Sequence, residues 1–570
     1  SMVFINDSQT IIKSYGKADI ENEIKVNRDR TGFRVASITK TLTSIAVLQL
    51  VDRGVLDLHT DIRQYLPGNM DHLFPKGMVT IHQLLTHIAG YDMTDINDAA
   101  LSINEVLPIE EVLRNLMPAQ VFPPGEVYSY SNFGFTLAGL IIQQVSGTAY
   151  SEYIKENILD PLEMSFSSVA QPLPGNVKNN IAESYLWKDS QVRYERDFSQ
   201  VTPADGLVTS AADMANYMKM LLNKGSFNGV TILSESSFDL LITQQYGARG
   251  TEFGICYAFF EGLQKGYRSL EHTGGQLGFA SLLVLIPEVA TGIFITHNSR
   301  EGANAFRYRV MNAVLDTLLQ EKSTERSVTN IGKGDDLEIY NGYFKQMNYP
   351  RSSFEKIGLL FGVFSTEWKV KELDEVLTIN GSDFSELGDG LFISKDYPDW
   401  KVAFEKDGKA LKVMSGTSSY KKIPWYKRTI VSQILLMPAL IFLLIMFIAR
   451  PIKSIIRKVR KPLENPERDW VYEWLYFTGS ILIISFLVIL LCFMLYEGQL
   501  ADYGIPVTIK SSLVFNSIAG VLSVLSPLAI YKVLTSSKYS KWRKLFYCIG
   551  IVSVIIVAIG FFHFNLMAME

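Results

Sequence analysis

Cysteine is scarce in this sequence, which has three in 570 residues: Cys256, Cys492 and Cys548. Two of them lie in long apolar runs near the C-terminus, so no intradomain disulfide framework is expected. The sequence also lacks any C-x-x-C or H-E-x-x-H pattern. It therefore predicts no structural zinc, no zincin-type metal site and no cofactor.

Charge is scarce as well, and it is balanced. Charged residues make up 20% of the chain, with 54 basic and 58 acidic side chains and a net charge of −4. Without a basic excess, nucleic acid is not an expected partner. Apolar residues reach 48% and the mean hydropathy is +0.13, which is high for a wholly soluble protein. A chain of this length predicts two to four domains of roughly 100–200 residues each.

The apolar excess is concentrated after residue 428. Each of four uninterrupted runs is long enough to cross a hydrocarbon core of about 30 Å as a helix. They show almost no polar stripe, which argues against buried helices of a soluble core. The sequence thus predicts a membrane domain at 429–570 with the lipid bilayer as a partner, and with helices at 429–449, 474–496, 513–534 and 545–566.

The loops between these runs predict an orientation. Residues 450–470 hold seven Lys or Arg against three acids, and 531–544 hold five with no acid. The positive-inside rule places both segments in the cytoplasm, and the region before residue 429 outside. Four basic residues just before the first run point the other way, but large domains translocate largely regardless of charge. We expect a multi-pass protein of a bacterial cell membrane, with its export signal removed or outside this sequence.

Ionisable and amide side chains within the apolar runs are few and include Asn516, His563 and Asn565. A transporter or proton relay needs buried charged groups along its pathway. A transporter with an attached soluble domain is therefore disfavoured.

The region before the membrane runs divides by composition. Residues 1–319 have a mixed α/β pattern, with helical runs at 38–51, 135–145 and 214–222 that each end near a glycine. Residues 320–336 are polar and predict a linker. Residues 337–424 predict a small β-rich domain, with a hairpin turn at Asp407-Gly408.

One short pattern supplies a candidate nucleophile. Ser37-Ile38-Thr39-Lys40 places a hydroxyl and an amine on one face at the start of an apolar helix. A lysine there can assist removal of the hydroxyl proton, and the helix N-terminus favours negative charge. Taken alone, the pattern favours a helix N-cap at Ser37 over a nucleophile, because S-x-x-K also occurs at Ser14, Ser353, Ser418 and Ser419.

Two further patterns occur once each: Tyr130-Ser131-Asn132, and His272-Thr273-Gly274-Gly275. In isolation, burial of an aromatic ring explains Tyr130, and a satisfied core histidine explains His272. The three patterns are informative only when they are taken together, in their order along the chain.

In that order, Ser37-x-x-Lys40, Tyr130-x-Asn132 and His272-x-Gly274 resemble the three motifs of the class C β-lactamase-related serine hydrolases. That family includes penicillin-binding DD-peptidases, D-amino-acid peptidases and esterases. The resemblance covers about residues 3–315 and includes four further segments, at 83–90, 124–132, 158–164 and 203–207. It implies an α/β (α+β) domain with an antiparallel sheet flanked by helices.

The resemblance also implies roles for the residues. Ser37 would be the nucleophile, and Tyr130, as phenolate or through Lys40, would take its proton. Asn132 would orient Lys40 and the substrate amide. The N–H groups of Ser37 and Gly275 would form the oxyanion hole, within the substrate-binding segment formed by His272, Thr273, Gly274 and Gly275. β-Lactamases usually carry lysine where His272 stands, so efficient β-lactam hydrolysis is not expected.

The favoured function is a membrane-tethered extracytoplasmic serine hydrolase that forms an acyl-enzyme with a peptide amide or ester. A D-amino-acid-type peptidase fits best, with a peptide, peptidoglycan-like or small ester or amide substrate. The alternatives are a penicillin-binding sensor with little turnover, an esterase or a β-lactamase. The sequence makes no prediction about oligomeric state.

Overall fold

The computed structural model describes residues 1–187, 189–248, 251, 253–299, 303–322, 337–363, 367–373, 376–388, 390–397, 400–407, 410–460, 469–495 and 502–568. Most of the predicted linker at 320–336 lies outside these residues. The chain forms two compact units, composed of Ser1–Asn341, Gln346–Asn348 and Lys369–Lys421, and of Gly342–Lys345, Tyr349–Trp368 and Lys422–Glu570. The domain boundaries derived from the sequence stay predictions.

Helices dominate the middle and the end of the chain. In the described residues they are α1 (Thr39–Asp52), α2 (Ile81–Leu85), α3 (Ile109–Leu116), α4 (Asn132–Ser146), α5 (Tyr150–Ile154), α6 (Gly175–Lys178), α7 (Thr202–Asp205), α8 (Ala211–Leu222), α9 (Glu235–Ile242), α10 (Ala303–Leu318), α11 (Thr429–Arg460), α12 (Trp470–Leu495), α13 (Val507–Ser523), α14 (Ser526–Thr535) and α15 (Lys541–His563).

Strands open the chain and return in two later groups. They are β1 (Met2–Asn6), β2 (Gln9–Lys13), β3 (Lys17–Asp19), β4 (Ile24–Lys25), β5 (Phe33–Arg34), β6 (Ala99–Ala100), β7 (Ser184–Trp187), β8 (Gln191–Tyr194), β9 (Phe198–Ser199), β10 (Val208–Thr209), β11 (Ser226–Phe227), β12 (Val230–Thr231), β13 (Phe260–Gln264), β14 (Tyr267–Gln276), β15 (Phe279–Ile286), β16 (Thr291–His297), β17 (Gly342–Gln346), β18 (Glu367–Leu373), β19 (Val376–Ile379), β20 (Ser382–Gly388), β21 (Leu391–Ser394), β22 (Lys401–Asp407), β23 (Ala410–Ser415) and β24 (Ser418–Ile423).

A six-stranded antiparallel sheet organises the first 320 residues, in the order β13-β14-β15-β16-β1-β2. Successive side chains of a strand point to opposite faces. Val3 and Ile5 of β1 accordingly join the large core with α1 and α4, whereas Phe4 packs with Met311 and Leu315 of α10. The sheet therefore has a helical layer on each face.

Helix α1 lies at the centre of the large core, and its residues from Thr39 to Leu50 are buried. A helix that is apolar on all sides needs such surroundings. Its threonines satisfy their hydroxyls locally or on neighbours: Thr41 donates to the carbonyl of Ile38 at 2.7 Å, and Thr43 to that of Pro203 at 2.6 Å. The start of α1 is therefore held by packing and hydrogen bonds from several directions.

The β-rich segment forms a closed barrel in the order β17 to β24. Strands β22 and β23 pair with Asp407 opposite Ala410, around the predicted Asp407-Gly408 turn. Gly408 itself lies outside the described residues. Phe344, Leu377, Ile379, Val402 and Val413 are buried, as alternation along barrel strands requires.

The C-terminal helices include three that are long and apolar enough to cross a membrane: Thr429–Ile456, Trp470–Cys492 and Lys541–His563. The predicted span at 513–534 is instead two helices, α13 and α14, which bend by 45° at a short break. Pro527, in the first turn of α14, has no N–H to continue the hydrogen-bond ladder of α13. Counting the bent pair as one span gives up to four among the described residues.

Candidate active site

Ser37 lies in a single 3-10 turn, Ala36–Ile38, that leads directly into α1. Ala36 has a φ of +47°, a left-handed conformation that costs energy in a residue other than glycine. The Thr39 hydroxyl donates to the Ala36 carbonyl at 2.6 Å and so holds this turn. Backbone strain directly before a candidate nucleophile is typical of a position shaped for function.

Lys40 lies one helical turn after Ser37 and is completely buried. Its Nζ lies 3.1 Å from Ser37 Oγ, 2.8 Å from Asn132 Oδ1 and 3.1 Å from the Ala204 carbonyl oxygen. These three acceptors come from three separate parts of the chain. The structure thus brings Ser37, Lys40 and Asn132 together.

Tyr130 and Asn132 are positioned by the start of α4. The Ser131 hydroxyl caps this helix by accepting from the Gly134 N–H at 3.0 Å. The Ser37 side chain acts on the Tyr130 hydroxyl and lowers its pKa against the effect of burial, and Lys40 Nζ lies 4.7 Å from the centroid of the Tyr130 ring. All three predicted catalytic side chains, Ser37, Lys40 and Tyr130, therefore meet at one point.

Asn132 links Lys40 to two carboxylates that the sequence patterns did not indicate. Its Nδ2 donates to Asp95 Oδ1 at 3.3 Å and to Asp98 Oδ2 at 3.2 Å. Because the amide nitrogen is engaged there, the amide oxygen is oriented toward Lys40. Asp95 and Asp98 lie in a loop without any recognisable motif, so no local signal could have identified them.

Burial controls the protonation of this cluster. It lowers the pKa of Lys40 to about 7, against the opposing effect of the Asp205, Asp95 and Asp98 carboxylates. Burial also raises the pKa of Tyr130 well above that of a free phenol. Near neutral pH Tyr130 is therefore a neutral phenol, whereas Lys40 is present both as the ammonium and as the unprotonated amine.

Asp205 connects the segment whose Ala204 carbonyl contacts Lys40 to the strand that carries the third motif. The Ser199 hydroxyl donates to one of its oxygens, and Gln276 Nε2 donates to the other at 2.8 Å. Burial raises the pKa of the Asp205 carboxyl. Asp205 lies in the resembling segment 203–207, so sequence reasoning noted it without assigning a role.

Strand β14 carries His272, Thr273, Gly274 and Gly275 past the Ser37 turn. A Cβ atom on Gly274 would lie 2.0 Å from the Val35 carbonyl oxygen, so only glycine fits there. Arg307 of α10 donates to the carbonyl oxygens of Gly274 and Ser281, which pair across β14 and β15. Thr273 and Gly275 are on the exposed face of the strand. The strand is thereby fixed beside Ser37 with its outer positions accessible.

His272 is buried, and its Nδ1 lies 2.6 Å from the Thr273 carbonyl oxygen. A carbonyl only accepts, so Nδ1 carries the proton of the neutral ring. Burial lowers the pKa of His272 to about 3. His272 is therefore uncharged near neutral pH, unlike a lysine at this position.

His87, which lies in the resembling segment 83–90, is a further neighbour of the site. Its ring centroid lies 4.3 Å from that of Tyr130, and its Nδ1 accepts from the Ser131 N–H at 3.1 Å. It is buried with a φ of +58°. His87 thus packs against the face of Tyr130 and the cap of α4.

Among the residues that the structure describes, no group of three or more His, Cys, Asp or Glu side chains is placed to hold a metal ion. The chemistry available to this cluster is that of an activated hydroxyl beside a buried amine and a phenol. This arrangement suits acyl transfer through a covalent intermediate.

Comparisons with known proteins agree with this geometry. The profile of the beta-lactamase family matches residues 1–316 of the 570. "Protein flp" of Staphylococcus aureus strain N315 is 28% identical over 304 residues, 52% of this chain and 57% of its own length. "Beta-lactamase-like protein 2" of Dictyostelium discoideum is 28% identical over 303 residues, 50% of this chain and 53% of its own. The chain thus spans little more than half the length of these relatives.

A solved structure, "Crystal structure of SurE", superposes with a TM-score of 0.50 at 22% identity and covers 74% of this chain and 94% of its own. At that identity the likeness concerns the fold alone. The family profile, by contrast, covers more than half of the chain and all three motifs. This protein belongs to the beta-lactamase family of serine hydrolases.

Proposed function

We propose that this protein hydrolyses a peptide amide or ester through an acyl-enzyme on Ser37, as a D-amino-acid-type peptidase. The observation that carries the proposal is the contact of Lys40 Nζ with Ser37 Oγ at 3.1 Å, made by a fully buried amine. Burial brings the pKa of this amine to about 7. A base of that pKa is suited to work near neutral pH.

Acylation begins when the unprotonated amine of Lys40 accepts the Ser37 proton, directly or through the Tyr130 hydroxyl. Oγ then attacks the substrate carbonyl carbon, and the N–H groups of Ser37 and Gly275 hold the resulting oxyanion. Lys40 returns the proton through Tyr130 to the leaving nitrogen or oxygen, and the tetrahedral intermediate collapses to the ester. Water repeats the sequence on that ester and releases Ser37.

His272 bears on the kind of substrate. Its ring is neutral near pH 7, because burial lowers its pKa to about 3. A neutral ring supplies no fixed cation for a substrate carboxylate at this end of the site. Since β-lactams carry such a carboxylate, this supports a peptidase or esterase over a β-lactamase.

Turnover separates a hydrolase from a penicillin-binding sensor. The full chain is incubated with a D-amino-acid peptide amide, a 4-nitrophenyl ester and a fluorescent penicillin, and both product and protein mass are followed. We expect product in many-fold excess over enzyme from the amide and the ester, with only a transient mass increase. A stoichiometric adduct that persists with every compound would instead identify a sensor.

We also propose that the chain is anchored in a membrane with residues 1–428 on the extracytoplasmic side. The three or four apolar helices support membrane association. Basic residues at both predicted inner loops, including Lys453 and Lys538, support the orientation.

Cysteine accessibility tests this orientation. Lys427, Lys453 and Lys538 are exposed and can each be changed to cysteine in a chain freed of its three native cysteines. With a membrane-impermeant maleimide on intact cells, we expect Lys427→Cys to react. Lys453→Cys and Lys538→Cys should react only after permeabilisation. The reverse pattern would overturn the proposed topology.

A further inference from the structure

Residues 354–363 end in large apolar side chains that the protein does not cover. From residue 357 to residue 363 the sequence contains no polar side chain. Phe361 and Val363 are nevertheless 48% and 67% exposed. Large apolar side chains exposed close together mark an interaction surface, because water solvates them poorly. A partner for this end of the segment must therefore offer an apolar surface.

Another face of the same segment is packed against the protein. Phe354–Phe361 is a 3-10 helix, in which every third side chain lies on the same face. Phe354, Ile357 and Leu360 form one such face, and all three are buried. The segment is therefore firmly seated, and its exposed apolar end is a fixed feature of the surface.

Hydrogen bonds attach this segment to one end of the C-terminal helices. Gln433, one turn into α11, donates from Nε2 to the Leu360 carbonyl oxygen at 2.7 Å. Asn565, shortly after α15, donates from Nδ2 to the carbonyl oxygens of Arg351 and Ser353, at 2.6 Å and 3.1 Å. In the proposed orientation, the start of α11 and the end of α15 are both on the outer side of the membrane. The segment therefore lies at the outer end of these helices.

The contact with Gln433 indicates how deep the segment lies. Glu367 accepts from both the N–H and the hydroxyl of Thr429, the first residue of α11, at 2.7 Å each. A carboxylate is costly within the hydrocarbon core, so Thr429 marks the membrane surface. Gln433 lies four residues further along α11, which is about 6 Å along the helix axis. Amphipathic segments at a membrane surface bury their apolar face by about 5–10 Å, so the end of this segment lies at a suitable depth.

Neighbouring residues have the character of a membrane interface. Trp425 and Tyr426, just before α11, are exposed. These two residue types concentrate at the level of the lipid headgroups. Ile430 and Ile434, in the first turns of α11, are exposed as well, and they belong to a helix apolar enough to span a membrane. The apolar surface of that span therefore begins at the level of the segment.

The backbone at the end of the segment is also compatible with lipid, where polar groups need partners within the protein. The N–H groups of Gly362 and Val363 donate to carbonyl oxygens of the segment itself, at 3.2 Å and 2.9 Å. The Leu360 carbonyl accepts from Gln433. These three groups are therefore satisfied without water.

We propose that residues 354–363 form a membrane-surface segment, with Phe361 and Val363 inserted among the lipids of the outer leaflet beside α11. This inference rests on the proposed membrane anchoring, and it adds an attachment to the bilayer outside the spanning helices. Lipid is favoured over a second copy of the chain, because the segment is bonded to a helix whose exposed apolar residues themselves require lipid.

Depth-dependent fluorescence quenching tests the proposal. In the full chain freed of its three native cysteines, Val363→Cys is labelled with the polarity-sensitive probe NBD and reconstituted in phosphatidylcholine vesicles. We expect a blue-shifted emission, and quenching about twofold stronger by a lipid with a nitroxide near the headgroup than by one with a nitroxide at the chain end. Emission as in water, with no quenching by either lipid, would overturn the proposal.

Three further labelled positions serve as controls. Phe361→Cys should behave like Val363→Cys, which guards against a local effect of one substitution. Lys219→Cys, at an exposed position of α8, should be quenched by neither lipid. Ile441→Cys, at an exposed position of α11 about 18 Å along the helix from Thr429, should be quenched more by the nitroxide at the chain end.

These probes separate the inference from the proposed anchoring. If Ile441→Cys is not quenched, the anchoring fails, and quenching at Val363→Cys would still support a surface segment. If Ile441→Cys is quenched and both probes of the segment are not, the anchoring stands and the surface segment is refuted. A blue shift at Val363→Cys without quenching would show that protein, such as a second copy of the chain, covers the segment, and it would refute the proposal as well.

Discussion

Replacing Ser37 by alanine is expected to abolish covalent labelling by a fluorophosphonate and to lower ester turnover by about four to six orders of magnitude. The Oγ atom is the only group of the cluster placed to form the acyl bond, with Lys40 Nζ 3.1 Å away. Lys40 and Tyr130 would remain in place but would have no hydroxyl to activate. Intact-protein mass spectrometry measures the adduct directly.

Ser44→Ala is the matched control for this experiment. Ser44 lies on the same helix, is fully buried, and its hydroxyl has no hydrogen-bond partner among the described residues. The same atom is removed from the same element, so labelling should stay within about twofold of wild type. Undiminished labelling of Ser37→Ala would refute the nucleophile assignment, whatever the behaviour of Ser44→Ala.

The acylation rate is expected to rise about tenfold per pH unit below neutrality and to level off above about pH 7, because only unprotonated Lys40 accepts the Ser37 proton. Burial places the pKa of Lys40 at about 7. His272 and Tyr130 cannot produce this inflection, since the pKa of His272 is about 3 and that of Tyr130 is far above neutrality. The rate of inactivation by a fluorophosphonate, measured between pH 5 and 9, gives this pH profile directly, because the probe itself does not ionise in that range.

Two substitutions assign the inflection to Lys40. Lys40→Arg keeps a permanent charge and cannot act as a base. The acylation rate of this variant should not rise with pH, and it should be about 10²–10⁴ times lower than that of the wild type. Asp205→Asn removes the carboxylate that contributes most to raising the pKa of Lys40, so the inflection should move to lower pH.

Asp213→Asn is the control for the second of these. It neutralises another buried carboxyl that hydrogen-bonds Ser167 and does not contribute to the pKa of Lys40. The pH profile of the Asp213→Asn variant should have its inflection at the same pH as that of the wild type. A profile that is flat from pH 5 to 9, or an Asp205→Asn inflection at higher pH, would contradict the role given to Lys40.

The local features of this protein follow closely from its sequence. The helix predicted at 38–51 is α1, Thr39–Asp52, and the one predicted at 135–145 lies within α4, Asn132–Ser146. Gly54 and Gly147 have φ values of +71° and +70°, in the left-handed region that ends helices. Helix propensity and the spacing of hydrophobic residues depend only on neighbours along the chain. They can therefore be recognised without knowledge of the fold.

The break between α13 and α14 shows where such reading fails. Averaged over the run 513–534, hydropathy is high, and a single span was predicted. Pro527 removes one N–H, and the chain bends there by 45°. Hydropathy over a long window cannot register the loss of a single donor.

The sequence by itself determined the helices, the apolar runs and the family, because these depend on short-range patterns and on the order of three motifs. It also placed Ser37 and Lys40 on one face of a helix. Only the tertiary structure decided that Lys40 is buried against Asn132 and Ala204, 92 and 164 residues away. Our proposal that Lys40 is the base rests on that burial, because desolvation depends on every segment that excludes water from the site.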